Sequence, residues 1–481
     1  MQVTVANKRR IEATGVVFFA CLSLILFFIS SLMYFSGVLS KTSLFLRLIP
    51  CVVAVVMLGM LIYGFKDKPE VVFLLLAIPM GVALALFILP DQVPDERWHI
   101  FRAIDLRFFG GGTTVPDIIG SMPSNYSEYM QRLVSPDAWS STVWFERDLT
   151  SYLPHLYMFA HAVFVIFRAL NINPYIGIIV ARVVNGAIFV VVGYFCVKNI
   201  PHAKVMLAVF LLNPMLLQQE FSISADSVVN TSAIAFTTYL FWMKFDCHLA
   251  RRDFVCLGLL AILTSISKYA YAPLVLLTLL LVPYLPNKKH RVCIRGGVAA
   301  LIVLGGLFVI VAYKQGTYLT AVELVRNPKE FCSVMLKSVY ELGPNWIKQT
   351  FGMSLGALNV VVWEPCFWLY CGVLLSTAVF NLGEDHAFSR LEKVFLAGFT
   401  AALFAVILLV FRDWTLTVDK RSDVIMGFQG RYFLPFIFPA LSALATPRAC
   451  LKRPNCMVLY SGCLGVVYVF ALYGIVRTFA G

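Results

Sequence analysis

Thr14 to Leu39 is an apolar run of the length a lipid bilayer demands, and it does not stand alone. A membrane-crossing helix needs about 20 mostly apolar residues. Further runs follow at Leu44–Phe65, Val71–Leu89, Tyr175–Val197, Val205–Phe221, Ser227–Met243, Phe254–Ser267, Ala270–Leu285, Gly296–Ala312, Ala357–Phe380, Val394–Phe411, Tyr432–Ala445 and Met457–Val476. Such a chain cannot hide all its apolar surface in a water-soluble core. Composition agrees: 60% of residues are hydrophobic and 14% charged, with a mean hydropathy of +0.81. Soluble chains carry about 45–50% apolar and about 25% charged residues. A soluble enzyme, a nucleic-acid reader and a disordered scaffold are excluded. The net charge of +13 reads as basic loops held at the cytoplasmic leaflet rather than as a nucleic-acid surface.

The expected fold is an all-α polytopic membrane protein of about thirteen transmembrane helices. Lys8-Arg9-Arg10 precedes the first run, which lacks a small-x-small cleavage site, so it reads as an anchor with its N-terminus inside. Pro154–Leu170 is moderately apolar but carries His155, His161 and Arg168. If it stays outside as a juxtamembrane helix, the later short basic loops all face the cytoplasm with Lys66 and Lys68. That choice puts the C-terminus outside, together with a large first external loop, 90–174, and loops 313–356 and 412–430. The basic residues of 313–356 run against the same rule. The 12 cysteines sit mostly in apolar runs, and loop 90–174 has none. No disulfide framework or zinc spacing is indicated.

Charged groups at membrane depth cost about 2.5–3.5 kcal/mol each on insertion scales, so they are usually paired or functional. Four clusters fall at the external boundary. In Pro94-Asp95-Glu96-Arg97-Trp98-His99-Ile100-Phe101-Arg102, Pro94 suits a first helical turn and Asp95 and Glu96 suit the positive end of its dipole. Glu96, His99 and Arg102 share a face. A carboxylate and a histidine together can take a proton from a hydroxyl, though a solvated helix cap reads equally from the residues. Glu220 and Asp226 flank a short turn, where Asp226 can also be a simple cap. Lys268-Tyr269-Ala270-Tyr271 joins two short helices and offers a point charge for phosphate or an interface anchor. Gln429-Gly430-Arg431-Tyr432 puts a guanidinium, able to grip two phosphate oxygens, at the mouth of an apolar run, where it can also snorkel. Arg182 is a weaker case of the same kind. No Gly-rich nucleotide loop is present, so a phosphate handled here points to a lipid-linked phosphate.

The order of these motifs resembles the GT-C superfamily of polytopic glycosyltransferases. The resemblance is carried by the acidic loop, Pro154-His155-Leu156-Tyr157, Ala181-Arg182, Ser224-Ala225-Asp226, Lys268 before Pro273-Leu274, and Arg431-Tyr432-Phe433-Leu434-Pro435. More closely, Pro94–His99 with Gln429–Tyr432 is similar to a bacterial family of GT-C-like membrane proteins of unknown function. The resemblance spans roughly residues 71–445. It implies two extra N-terminal helices (1–69), a GT-C-like module (70–285) and a C-terminal transmembrane module (286–481). It implies a bacterial inner-membrane enzyme whose active site faces the periplasm or exterior. Sugar would pass with inversion from a polyprenyl-phosphate donor, such as an undecaprenyl-phosphate sugar, to an envelope glycan or lipid-linked acceptor. Asp95 is then the base, with Glu96 second. Lys268 and Arg431 neutralise the leaving phosphate, and His99, Arg102, Arg182, Glu220, Asp226, Tyr269, Tyr271, Gln429 and Tyr432 bind substrate. Trp98, Trp139 and Trp144 are candidates for sugar stacking. The acidic pair here is Asp95-Glu96 rather than the family's Asp-x-Asp, which leaves a divalent metal open. A non-catalytic transporter or flippase of lipid-linked glycans is the alternative. It wants a polar central path, and the mid-span positions are almost uniformly apolar. Membrane lipid is a partner on either reading; nucleic acid is not.

Overall fold

The computed structural model describes residues 2–107, 111–135, 139–146, 153–246, 249–285, 287–379, 387–445 and 456–480. The fold is a helical membrane bundle. Among the described residues seven helices are long and apolar enough to cross a bilayer: Ile11–Phe35, Lys41–Gly64, Pro69–Phe87, Pro174–Asn199, Lys288–Gln315, Arg390–Val418 and Cys456–Phe479. Two short antiparallel strand pairs, Thr113–Pro116 with Thr142–Phe145 and Ser354–Leu355 with Val360–Val361, lie in the connecting segments.

The remaining apolar runs form shorter or more polar elements. Val205–Phe221, expected as one span, is two helices, Lys204–Leu211 and Pro214–Glu220. Asn213-Pro214 is the cause. Asn213 accepts hydrogen bonds from Met215 N (2.8 Å) and Leu216 N (3.1 Å), and Pro214 opens the new helix. Phe254–Leu285 divides at Lys268, as expected, into the α-helix Arg251–Ser267 and the 3-10 helix Tyr269–Tyr284. Met158–Ala169 has 12 residues, about 18 Å of helix, too short to span. Ala225–Phe245 holds Asp226, Asn230 and Lys244, all buried.

Of the expected loops, 313–356 is largely helical and 412–430 begins as helix, over 412–418. Segment 313–356 contains Leu319–Arg326 and Pro328–Thr350, each burying one face. Helix Arg390–Val418 runs past Phe411 because Arg412 is not solvated. It donates from Nε to Glu323 Oε2 (2.9 Å), from Nη2 to Glu323 Oε1 (2.5 Å) and from Nη1 to Ser422 O (2.9 Å).

The core that seats the candidate site is built around Phe221. Its ring fills a slot between Gly81 on Pro69–Phe87 and Gly186 on Pro174–Asn199. A β-carbon at either glycine would lie 2.1 Å or 2.3 Å from that ring. Both helices come close only because these positions carry no side chain. The slot fixes the turn Ser222–Ser224 just beyond, and Asn185 Nδ2 ties it by donating to Ser222 O (2.9 Å).

Candidate functional site

The Pro69–Phe87 helix ends with several carbonyls that lack helical partners. Arg182 satisfies three of them, donating to Ala85 O (3.1 Å), Ile88 O (2.5 Å) and Leu89 O (3.1 Å). Tyr126 OH donates to Phe87 O (2.8 Å). The same guanidinium grips Glu96 with both Nε, at 2.8 Å to Oε1, and Nη2, to Oε2. Glu96 also accepts from Ile223 N (3.1 Å) and Asp91 N (3.2 Å). Both side chains are buried, at 1% and 0% exposure. Every oxygen of Glu96 is occupied, so it cannot serve as a base. Glu96 and Arg182 form a structural clasp, in place of the second base and the substrate cation expected from sequence.

That clasp governs Asp95. Asp95 has φ +65°, left-handed backbone that aspartate tolerates better than most residues. It sits at the cap of helix Glu96–Ile104 rather than inside its first turn, and makes no side-chain cap bond. The reversal sends Glu96 into the core and leaves Asp95 with 55% of its side chain exposed. Arg431, at 3% exposure, reaches over from the far end of the chain. It donates from Nη2 to Asp95 Oδ2 (2.6 Å) and from Nη1 to Pro94 O (3.0 Å). Its Nη1 also lies 3.3 Å from Asp226 Oδ2. Lys268 Nζ donates to Asp226 Oδ1 at 2.6 Å. Asp226 thus bridges the two cations. It is not the cap of its helix; Ser224 is, accepting from Asp226 N (3.1 Å).

Tyr432 forms the wall. Its ring lies 4.9 Å from Lys268 Nζ and 5.0 Å from Arg431 Cζ, and its hydroxyl accepts from Arg431 Nη2 (3.1 Å). Tyr271 OH donates to Tyr432 O (2.9 Å), which holds the backbone that carries Arg431. Gly430 sits where a β-carbon would meet Trp346 O at 2.2 Å, so only glycine fits at this crossing with helix Pro328–Thr350. Among the described residues, two buried polar groups here have no partner, Arg431 Nε and Gln429 Oε1. Buried polar groups are normally paired, so this guanidinium N–H beside a second cation is available to an acceptor.

His99 lies below this cluster, and its Nδ1 is 2.6 Å from Tyr157 OH with the rings stacked at 5.7 Å. Burial pushes the imidazole down to about 4; Asp226 and Asp95 oppose that shift, while Arg431 and Lys268 reinforce it. The unfolded chain binds a proton near pH 6.5 that the folded protein refuses. Stability is therefore expected to fall as pH drops from about 6.5 toward about 4. Thermal unfolding in detergent between about pH 7 and pH 5 should show this fall. His99→Leu should show a smaller fall over that window, and an equal one would assign the dependence to other groups.

The other expected binding residues make their contacts outside the ion pairs of the cluster. Tyr269 is 77% exposed and turned away. Glu220 is fully buried, accepting from Ser227 Oγ (3.1 Å) and Thr231 Oγ1 (2.9 Å). Arg102 is buried against its own loop, near Asp105 O (3.5 Å). Trp98 packs on Phe101 and Phe145, Trp139 donates to Ile172 O (2.7 Å), and Trp144 lies under Arg107. All three tryptophans serve the loop. Tyr157 is the residue that sequence reasoning passed over. Its Pro-x-x-Tyr setting marked chain order but gave no role to the hydroxyl. Among the described residues no group of three or more His, Cys, Asp or Glu could hold a metal ion.

No curated protein and no solved structure matches the chain. One family model does, that of a "Predicted membrane protein (DUF2142)", over residues 120–439. The match takes in Asp226, Lys268 and Arg431, while Asp95 precedes it. With about two thirds of its length matched, the chain belongs to this family of membrane proteins, DUF2142.

Proposed function

We propose that the protein is a GT-C-like glycosyltransferase. It moves a sugar from a polyprenyl-phosphate donor to an envelope glycan or lipid-linked acceptor. The reaction takes place on the outer side of a bacterial inner membrane, in a bundle of about thirteen spans with its N-terminus inside. The observation that carries this reading is the composition of one small volume. It holds two carboxylates (half-exposed Asp95 and buried Asp226), two cations (Lys268 and Arg431), and a buried guanidinium N–H with no partner among the described residues.

Asp95 Oδ1 has no hydrogen-bond partner among the described residues, so it is free to meet an acceptor hydroxyl. In the step proposed, the acceptor oxygen bonds to the anomeric carbon as its proton passes to Asp95. The bond from that carbon to the phosphate oxygen breaks, with inversion. Polyprenyl phosphate leaves with the bonding pair, and Arg431 and Lys268 face the charge it gains. Removing one such donor typically lowers turnover about 10²–10³-fold.

The test uses purified full-length protein in nanodiscs, a radiolabelled polyprenyl-phosphate sugar and an isolated envelope glycan. Wild type should label the glycan and release polyprenyl phosphate, and Arg431→Gln should do so about 10²–10³-fold more slowly. Donor bound and moved across the bilayer without release would mean a transporter. No donor binding at all would also overturn the reading.

A further inference from the structure

A second cleft opens on the same end of the fold as Asp95. Its walls are the strand pair that contains Val361 and the last turns of helix Cys456–Phe479. Its volume is about 730 Å³, within the range of cavities that hold small ligands. Trp363, Phe470 and Tyr473 line it, with Asn359, Glu364 and Arg477. Trp363 and Phe470 pack at 4.9 Å between ring centres, yet Trp363 stays 59% and Tyr473 63% exposed.

Cys456–Phe479 is one of the helices long and apolar enough to span a bilayer, and Arg477 lies in its last turn. The cleft is therefore at headgroup depth, where aromatic rings gather. Glu364 is already engaged by Lys348 at 3.4 Å. Arg477 has no ion-pair or hydrogen-bond partner among the described residues. The cleft thus joins an open cation to exposed aromatic walls. Water alone would suit the first and not the second.

We propose that this cleft is a binding site for an anionic phospholipid, with the headgroup phosphate on Arg477 and the glycerol and upper acyl chain against Trp363, Phe470 and Tyr473. The proposal stands apart from the transfer reaction and uses none of its residues. It does touch their neighbourhood, because Asn359 Nδ2 donates to Gln92 Oε1 (3.0 Å), three residues before Asp95.

Native mass spectrometry of the full-length protein in detergent, titrated with phosphatidylglycerol or phosphatidylcholine, tests it. Wild type should bind one phosphatidylglycerol in preference to phosphatidylcholine. Arg477→Gln should bind it about tenfold more weakly, the loss expected for one charge-assisted contact, and Arg477→Lys should recover part of the affinity. Arg431→Gln should bind as wild type does. A brominated phosphatidylglycerol should quench wild type more than Trp363→Phe. Equal affinity for the two lipids, an unchanged Arg477→Gln, or displacement of the lipid by inorganic phosphate at millimolar concentration would each overturn the proposal.

Discussion

Asp95→Asn is expected to lower sugar transfer by about 10²–10⁴-fold, the range for removal of a general base, while donor affinity changes only a few-fold. The substitution keeps the size of the side chain and an oxygen for Arg431 Nη2, now at 2.6 Å from Oδ2. It removes the ability to take a proton. Half of the side chain is in solvent, so the melting temperature should move little. A fall in turnover at unchanged KM marks an interaction made in the transition state. Wild-type turnover in the variant would remove Asp95 from the chemistry and leave it as a tether for Arg431.

Arg182→Met is expected to show the largest loss of stability. Removing one partner of a buried pair typically costs about 3–5 kcal/mol, because the other charge is left without compensation. Here the loss is wider than one pair. Ala85 O, Ile88 O and Leu89 O lose their donor together with Glu96. The double variant Arg182→Met with Glu96→Gln should fall short of the sum of the two single losses. Thermal unfolding of the four proteins in detergent measures the difference. Strict additivity would mean that the two side chains do not depend on each other. Turnover should fall in both single variants as well, since the clasp fixes the reversal at Asp95.

Much of the fold was legible in the sequence because bilayer thickness imposes a length on apolar runs. The break at Lys268 was legible for the same reason, since Phe254–Leu285 is too long for one crossing. The interruption at Asn213-Pro214 was written in the sequence too, but the apolar residues on both sides concealed it. Segment 313–356 looked like a loop because its helices bury only one face, which dilutes the hydropathy signal. At the site, charge type and chain order singled out Asp95, Asp226, Lys268 and Arg431, and the GT-C resemblance is what placed them in one pocket, where the structure brings them together. Charge and order could not divide Asp95 from Glu96, neighbours whose opposite fates hang on one left-handed backbone angle. Nor could they show that Arg182 serves helix carbonyls, since such groups have no signature in side-chain spelling.

The bridging position of Asp226 bears on how strongly the pocket would attract its ligand. Two acids and two bases occupy it, so at rest it is electrically balanced, and Lys268 and Arg431 already have a counterion. A singly charged headgroup arriving there gains little from bulk attraction and must compete with a fixed carboxylate. The pull grows only as a phosphate acquires its second charge. Such an arrangement discriminates against casual singly charged anions and, on the transfer proposed above, would reserve its field for the charge that develops as the sugar–phosphate bond breaks.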